Sequence, residues 1–516
     1  MLTGNELLAI DAGTQGVSLI LWCPASRTLQ GVGEQPYEHD FAPGLPDGRL
    51  EHFAHYWSDA IKRAMTKLRD DVRERGLGDI EHVAGIGVTG HMHCMVRKDA
   101  VGNKPFGCDL WNDPRGVAQS EQLTQALGEH MPARWTGCHV LARMQDDPEE
   151  WRKAAGVTVT SGSIVHDLTG QWALGPGDAS GMFGKLDAQG QIDRDKLRKI
   201  DALAGNRFTP LEQLVPRIVP AGEVAGTLSE AGSALLGGLP VGTPVAAPEG
   251  DQQSVLVVAA VDEMELALSA GTSFTGNLPA TGGYTAQDES VNVLATPDRL
   301  TMFMVCVRNG TIGFAQYVSG LAELSGRPFG QVADDLTDLA QTLKPEPDGA
   351  MLWPFFQGEN VAKLPDARAS LEEASIDLLS TPGVMARLLL EAPTLTLRYG
   401  LEQLKPHTGP VKRVLLTGGA LKSKDGFAPQ LYADILGVPV AARAGDEEGT
   451  AKGAALLAGY MVQQQAGNTA LTLAQYAKSQ TTGDELCWRP DPAVRAVYDR
   501  RYARFAQRVE AWQGGA

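Results

Sequence analysis

Leu7-Leu8-Ala9-Ile10-Asp11-Ala12-Gly13-Thr14-Gln15-Gly16-Val17-Ser18-Leu19-Ile20-Leu21-Trp22 is the stretch whose reading decides the fold. Leu7–Asp11 is a short apolar run ending in an acid, Gly13-Thr14-Gln15-Gly16 follows, and Val17–Trp22 is apolar again. The pattern predicts strand, tight glycine-bearing turn, strand. A second copy lies deep in the chain: Glu265–Ala270 leads into Gly271-Thr272-Ser273, and Phe274–Leu278 continues. Two strand–Gly-Thr–strand units point to two similarly built lobes, although Gly-Thr is also common in ordinary hairpins.

Working outward, the pattern is mixed α/β. Val83–Val88 reads as a buried strand, and Tyr56–Arg75 and Val117–Leu127 have helical periodicity. Pro210–Gly242, rich in Gly and Pro, is expected to carry the crossover into the second lobe. There, Gly330–Thr342 and Pro382–Leu404 look helical, and Arg413–Leu416 is a strand running into Gly418-Gly419-Ala420. Gly449–Val462 is a small-residue helix suited to tight packing, and Asp491–Trp512 reads as a charged, surface-type helix.

The 516 residues are enough for about three domains or two large ones. Hydrophobic residues at 43% and charged residues at 21% are ordinary for a globular protein. A net charge of −17, with no basic stripe, argues against nucleic acid or an anionic membrane as partner. An anionic ligand would then need backbone N–H groups, a lysine or a divalent cation. Six scattered cysteines without C-x-x-C spacing read as free thiols, and no apolar run reaches ~18 residues. Met1–Glu6 lacks the basic region of a signal peptide, so a cytoplasmic enzyme or ATPase is expected.

Glu249-Gly250-Asp251-Gln252-Gln253 precedes the apolar run Ser254–Val261. Asp251 sits where a loop turns into a buried helix, whose first N–H groups favour an ionised carboxylate. With an ordinary pKa of about 3.9 it can take a proton from a hydroxyl, though a simple helix-capping Asp fits the same pattern. The turn at Gly13-Thr14, beside Asp11, presents N–H groups suited to phosphate oxygens, or is a plain hairpin turn. Asp11 itself can hold Mg²⁺ through water. Gly271-Thr272-Ser273 repeats the device. Glycines at Gly418-Gly419-Ala420 let the backbone approach an adenine or ribose, or simply turn the chain. His91 and His93, in Gly90-His91-Met92-His93-Cys94, suit a hydroxylated substrate, or are satisfied strand-end histidines; no third metal ligand supports them. Trp111-Asn112-Asp113-Pro114-Arg115 offers a ring face and polar groups, as a sugar pocket does, or forms a charged turn.

In this order the segments resemble the FGGY family of carbohydrate kinases, from about Leu7 to Tyr460. Ile10-Asp11-Ala12-Gly13-Thr14 resembles its first phosphate motif and Gly271-Thr272-Ser273 its second. Gly90-His91-Met92-His93 is similar to the sugar-contacting Gly-Gln-Met-His of xylulose kinases, and Leu110-Trp111-Asn112-Asp113 to their Trp-Asn-Asp segment. Gly250-Asp251-Gln252-Gln253 resembles the catalytic-base motif. Gly418-Gly419-Ala420 through Ala433-Asp434-Ile435-Leu436-Gly437 resembles the adenosine motif, and Glu447–Ala454 the closing glycine-alanine helix. His91 stands where xylulose kinases usually have Gln, Cys94 replaces a usual small residue, and Gln357-Gly358-Glu359-Asn360 lacks the Arg commonly found after Gly-Glu. All three bear on sugar specificity.

The resemblance implies two actin-like (ribonuclease H-like) α/β lobes, each with a five-stranded mixed sheet, and an ATP and sugar cleft between them. Residues 1–245 would form the sugar-binding lobe and residues 246–516 the lobe with base and nucleotide site. It implies Asp251 as base and Asp11 for Mg²⁺. His91, Met92, His93, Trp111, Asp113, Asp251 and Gln252 would meet the sugar. Gly13, Thr14, Gln15, Gly271, Thr272, Ser273, Gly418, Gly419, Ala420 and Ser423 would bind ATP. The expected reaction is phosphorylation of a primary hydroxyl of a small ketose, D-xylulose first, with ribulose, another ketose or a pentitol as alternatives. A homodimer is reasonable on the same ground. The competing classes are an actin-like conformational ATPase, for which no client-binding module is visible, and a sugar-binding regulator without catalysis.

Overall fold

A computed structural model describes residues 1–39, 41–45, 48–53, 55–103, 106–282, 284–417, 426–443 and 449–514. The chain forms two compact units. The first comprises residues 1–260, 293–301 and 448–482; the second comprises 261–292, 302–447 and 483–516.

In the first unit the opening hairpin forms as read. Leu7–Ala12 pairs antiparallel with Gly16–Cys23, from Leu7 opposite Trp22 to Ala12 opposite Val17. Its other edge pairs in parallel with Gly85–Gly90. The sheet order is Val224–Thr227, Pro244–Ala246, Gly85–Gly90, Leu7–Ala12, Gly16–Cys23, Thr28–Pro36, with Glu249–Gly250 also beside Gly85–Gly90. Because side chains alternate across a strand, both faces must be covered. Leu8, Ile10 and Ala12 pack with Trp57, Ile61, Ala64 and Leu68 of the helix His55–Glu74. Leu7 and Ala9 face Ala451, Ala454, Ala455 and Ala458 of the helix Gly449–Gln465. That helix approaches closely: a Cβ at Gly87 would fall 1.9 Å from the Ala454 carbonyl oxygen. Only glycine fits there.

The second unit repeats the device. Glu265–Ala270 pairs antiparallel with Phe274–Ala280 and in parallel with Arg413–Thr417, which in turn pairs with Val440–Arg443. Helices Phe329–Thr342, Pro382–Thr408 and Phe427–Leu436 pack into its core.

Several elements differ from expectation. Among the described residues the two larger sheets each have seven strands, not five, because short strands extend them. The first unit runs to Ala260, past residue 245, because the helix Asp251–Ala259 packs against Gly449–Gln465, and Asp251 therefore belongs with the first unit. Pro210–Gly242 stays within that unit, contributing Val224–Thr227 and the helix Glu230–Leu235. The terminal helix Pro492–Gly514 is not a surface element: Tyr498, Phe505 and Val509 are fully buried, and Phe505 stacks on Trp353 at 5.8 Å. Its charges hid an apolar stripe.

Candidate active site

Asp11 is the penultimate residue of its strand, and its Oδ2 accepts a hydrogen bond from the Thr450 hydroxyl. Burial raises the Asp11 carboxyl above its usual range, and Thr450 partly offsets this. The turn that follows is closed by Gly13 N–H donating to the Gly16 carbonyl (3.0 Å), while Tyr37 Oη donates to the Gly13 carbonyl (3.0 Å). Trp111 Nε1 donates to Thr14 Oγ1 (3.3 Å), which joins the aromatic plate to the turn. Gln15 is exposed at the tip.

Asp251 is the first helical residue, after Gly250 in extended backbone, rather than the cap itself. Its Oδ1 accepts from the Gln252 N–H at 2.8 Å. The expectation of an ordinary ionised Asp is corrected: burial, and then the charge of Asp11, push its carboxyl up to about 7. The two acids are therefore close enough to repel. The strand pair Glu249–Gly250 against Thr89–Gly90, and Ser254 Oγ donating to Thr89 Oγ1 (2.8 Å), hold this turn to the sheet.

His91 is fully engaged by protein. Its Nδ1 donates to the Ala12 carbonyl (3.0 Å), which fixes Nε2 as the acceptor from Cys94 Sγ (2.7 Å) and Thr160 Oγ1 (3.2 Å). Burial lowers its pKa to about 4, so the ring is neutral. These contacts brace the ring between the strand end at Ala12 and the helix that begins at Thr160. Met92 packs on Gly250, where a Cβ would lie 2.3 Å from its Cγ. His93 adopts φ 68°, donates from Nδ1 to the Gly181 carbonyl (3.1 Å) and stacks on Trp135. Burial, then Arg134, lower it to about 3. Asp113 is also occupied: Oδ1 accepts from Arg115 N (3.0 Å) and Nε (2.8 Å), and Oδ2 from Arg115 Nη2 (2.8 Å) and Leu50 N (2.7 Å). Burial would raise Asp113, but Arg115 and the Leu50 N–H hold it below the usual value. It shapes the loop carrying Trp111, a residue 41% exposed.

In the second unit, Gly271 N–H donates to the Ser273 carbonyl (3.0 Å), and Thr311 N and Oγ1 both donate to the Gly271 carbonyl (2.9 Å). Thr272 and Ser273 are exposed at the tip. Gly418, Gly419, Ala420 and Ser423 lie outside the described residues.

The family model for the N-terminal domain of the FGGY carbohydrate kinases matches residues 7–258, and that for the C-terminal domain matches residues 257–462. The chain belongs to the FGGY family of carbohydrate kinases. It is 25% identical to a xylulose kinase of Haemophilus influenzae over 87% of this chain and 90% of that one. It is 24% identical to glycerol kinase 2 of Saccharolobus solfataricus over 89% of each. The xylulose kinase structure from Rhodospirillum rubrum aligns with a TM-score of 0.81 and 23% identity, covering 99% of both chains. The two-lobed fold is therefore that of the FGGY kinases, and the chain is a phosphotransferase with an alcohol group as acceptor. FGGY kinases use ATP as donor and a carbohydrate as acceptor.

Sequence reasoning missed part of this FGGY kinase's site. Asp178, on the short helix Pro176–Phe183, has its carboxyl pushed up to about 8 by burial, aided by the charge of Asp251 and opposed by Ser161. Glu249 accepts from the Gly177 N–H (3.2 Å) and Asp178 N–H (3.1 Å); burial, then Asp178, hold its carboxyl well above the usual range. The available signal was a lone acid in Pro176-Gly177-Asp178-Ala179-Ser180-Gly181, otherwise made of small and uncharged residues. Among the described residues no group of three or more His, Cys, Asp or Glu is arranged to hold a metal. Asp11 fits Mg²⁺ differently: one carboxylate, repelled by a second, matches an ion that otherwise takes water and phosphate oxygens. Among the described residues no helix is long and apolar enough to cross a membrane.

Proposed function

We propose that this kinase transfers the γ-phosphoryl group of ATP to a primary hydroxyl of a small ketose, D-xylulose giving D-xylulose 5-phosphate. The observation that carries the reading is Asp251, at the start of a buried helix beside Asp11, with its carboxyl at about 7. A base with that affinity accepts a proton near neutrality without holding it too weakly. Asp251 takes the hydroxyl proton while the sugar oxygen bonds to phosphorus and the bond from phosphorus to the bridging oxygen breaks, ADP leaving with the electron pair. Because such transfer has a loose transition state, positioning and charge neutralisation dominate. Asp11 would hold Mg²⁺, which when bound supplies that neutralisation to the phosphates.

The turns bearing Gly13, Thr14 and Gln15, and Gly271, Thr272 and Ser273, cradle phosphate, and Gly418, Gly419, Ala420 and Ser423 take the adenosine. Met92, His93, Trp111, Asp113 and Gln252 shape the sugar pocket, with His91 as a specificity element beside them. The choice of D-xylulose rests on Met92-His93 and Trp111-Asn112-Asp113 and on the named relatives; ribulose, another ketose or a pentitol is the alternative. A homodimer is the expected assembly, checked by sedimentation.

The test is ADP release with MgATP across xylulose, ribulose, sedoheptulose, ribitol, arabitol, gluconate and glycerol. One preferred acceptor is expected, with kcat in Asp251→Asn lowered about 10²–10⁴-fold. A rate independent of every acceptor and unchanged in the variant would sink the reading and favour a conformational ATPase.

A further inference from the structure

Two polar atoms behind the proposed base lack partners. Asp178 is 1% exposed and Gln253 0%, and both Asp178 Oδ1 and Gln253 Oε1 are buried without a hydrogen bond. Leaving one such group unsatisfied costs about 1–3 kcal/mol, so two together need an explanation. They flank one point: a Cβ built on Gly250 would lie 2.8 Å from Asp178 Oδ1 and 2.9 Å from Gln253 Oε1. The Gln253 amide cannot flip to help, because Nε2 donates to the Ala295 carbonyl (3.3 Å). The other Asp178 oxygen already accepts from Ser161 Oγ at 2.5 Å. Two unpartnered acceptors that border the same point are reconciled by a single proton, which a protonated carboxyl supplies and a glutamine oxygen accepts.

We propose that Asp178 is a positioning residue for Asp251: its carboxyl carries a proton on Oδ1 and donates it to Oε1 of Gln253 behind Gly250, fixing the turn and leaving Asp251 as the acid free to ionise. The inference rests on the assignment of Asp251 as base. Its chemistry is that of a shared site, where buried neighbouring carboxyls cannot all carry charge. Burial of Asp178 and the proximity of Asp251 favour the neutral form. Ser180 anchors the same helix: its Oγ donates to the Gly177 carbonyl (2.6 Å) and accepts from the Ala295 N–H (2.8 Å).

The decisive measurement is an infrared difference spectrum of the full-length protein at pH 7, wild type minus Asp178→Asn. A carbonyl band of a protonated carboxylic acid is expected in the wild type and lost in the variant; its absence would overturn the proposal. Kinetics supply the second readout. Asp178→Ala is expected to lower kcat about 10²-fold with little change in the KM for sugar, the loss typical of a misplaced catalytic group. Asp178→Asn, whose amide donates to Gln253 and accepts from Ser161, should recover most of that loss. An Asn variant as impaired as the Ala variant would show that an ionised carboxylate is needed, and would overturn the idea. An Asp251→Asn enzyme that keeps its rate would remove the base, and with it the positioning role, while the infrared band stayed.

Discussion

An imidazole at position 91 that donates from Nδ1 to the Ala12 carbonyl must find a donor for Nε2, and Cys94 and Thr160 both provide one. The two departures from the xylulose kinase pattern, His91 and Cys94, are thus one compensated change. His91→Ala should cost about 1–3 kcal/mol in urea unfolding, the penalty for leaving buried groups unpaired. Cys94→Ala should cost less, because Thr160 still donates. Equal losses in the two variants would show that the thiol, not the imidazole, holds the network. The sequence makes the His91-Met92-His93 motif visible but not the occupied nitrogens, since Thr160 lies 69 residues further on. For the same reason the Leu50 N–H that Asp113 accepts, 63 residues earlier, was not legible beside Trp111.

Hairpins and amphipathic helices were legible because their signals are local: period-2 alternation flanking Gly13-Thr14, and helical spacing in Val117–Leu127, which forms over those same residues. What stayed hidden is contact between distant elements. The Asp11–Thr450 hydrogen bond joins residues 439 apart. It depends on the helix Gly449–Gln465 lying close to the helix Asp251–Ala259, an approach that Gly453 permits: a Cβ there would fall 2.3 Å from the Ser254 carbonyl oxygen. Gly453→Ala should force the helices apart, lowering stability by about 1–3 kcal/mol as overpacking does. It should also lower kcat, because Thr450 moves with its helix while Asp11 stays on the sheet. Destabilisation with kcat unchanged would separate the packing from the site.

Across the whole molecule, the repeated hairpin announced two units, yet the boundary at Ala260 followed from packing that no local pattern records. The first unit also buries ionisable groups of both kinds, which gives stability a definite pH dependence. His91 and His93, at about 4 and 3, are neutral in the fold, whereas an unfolded His takes a proton near 6.5. Their contribution is present above 6.5 and is lost as pH falls. Asp178, at about 8, has the opposite sign: between roughly pH 4 and 8 the folded state holds a proton that the unfolded state has released, so its contribution falls as pH rises. Below 6.5 these terms oppose one another; above it the histidine terms are constant and the acid remains. Each such group changes stability by at most about 1.4 kcal/mol per pH unit. Asp178→Asn removes one proton from the balance. Urea midpoints from pH 5 to 8.5 should therefore show the variant gaining on the wild type as pH rises, with the gap levelling above about pH 8. Parallel curves would mean that Asp178 binds no extra proton on folding.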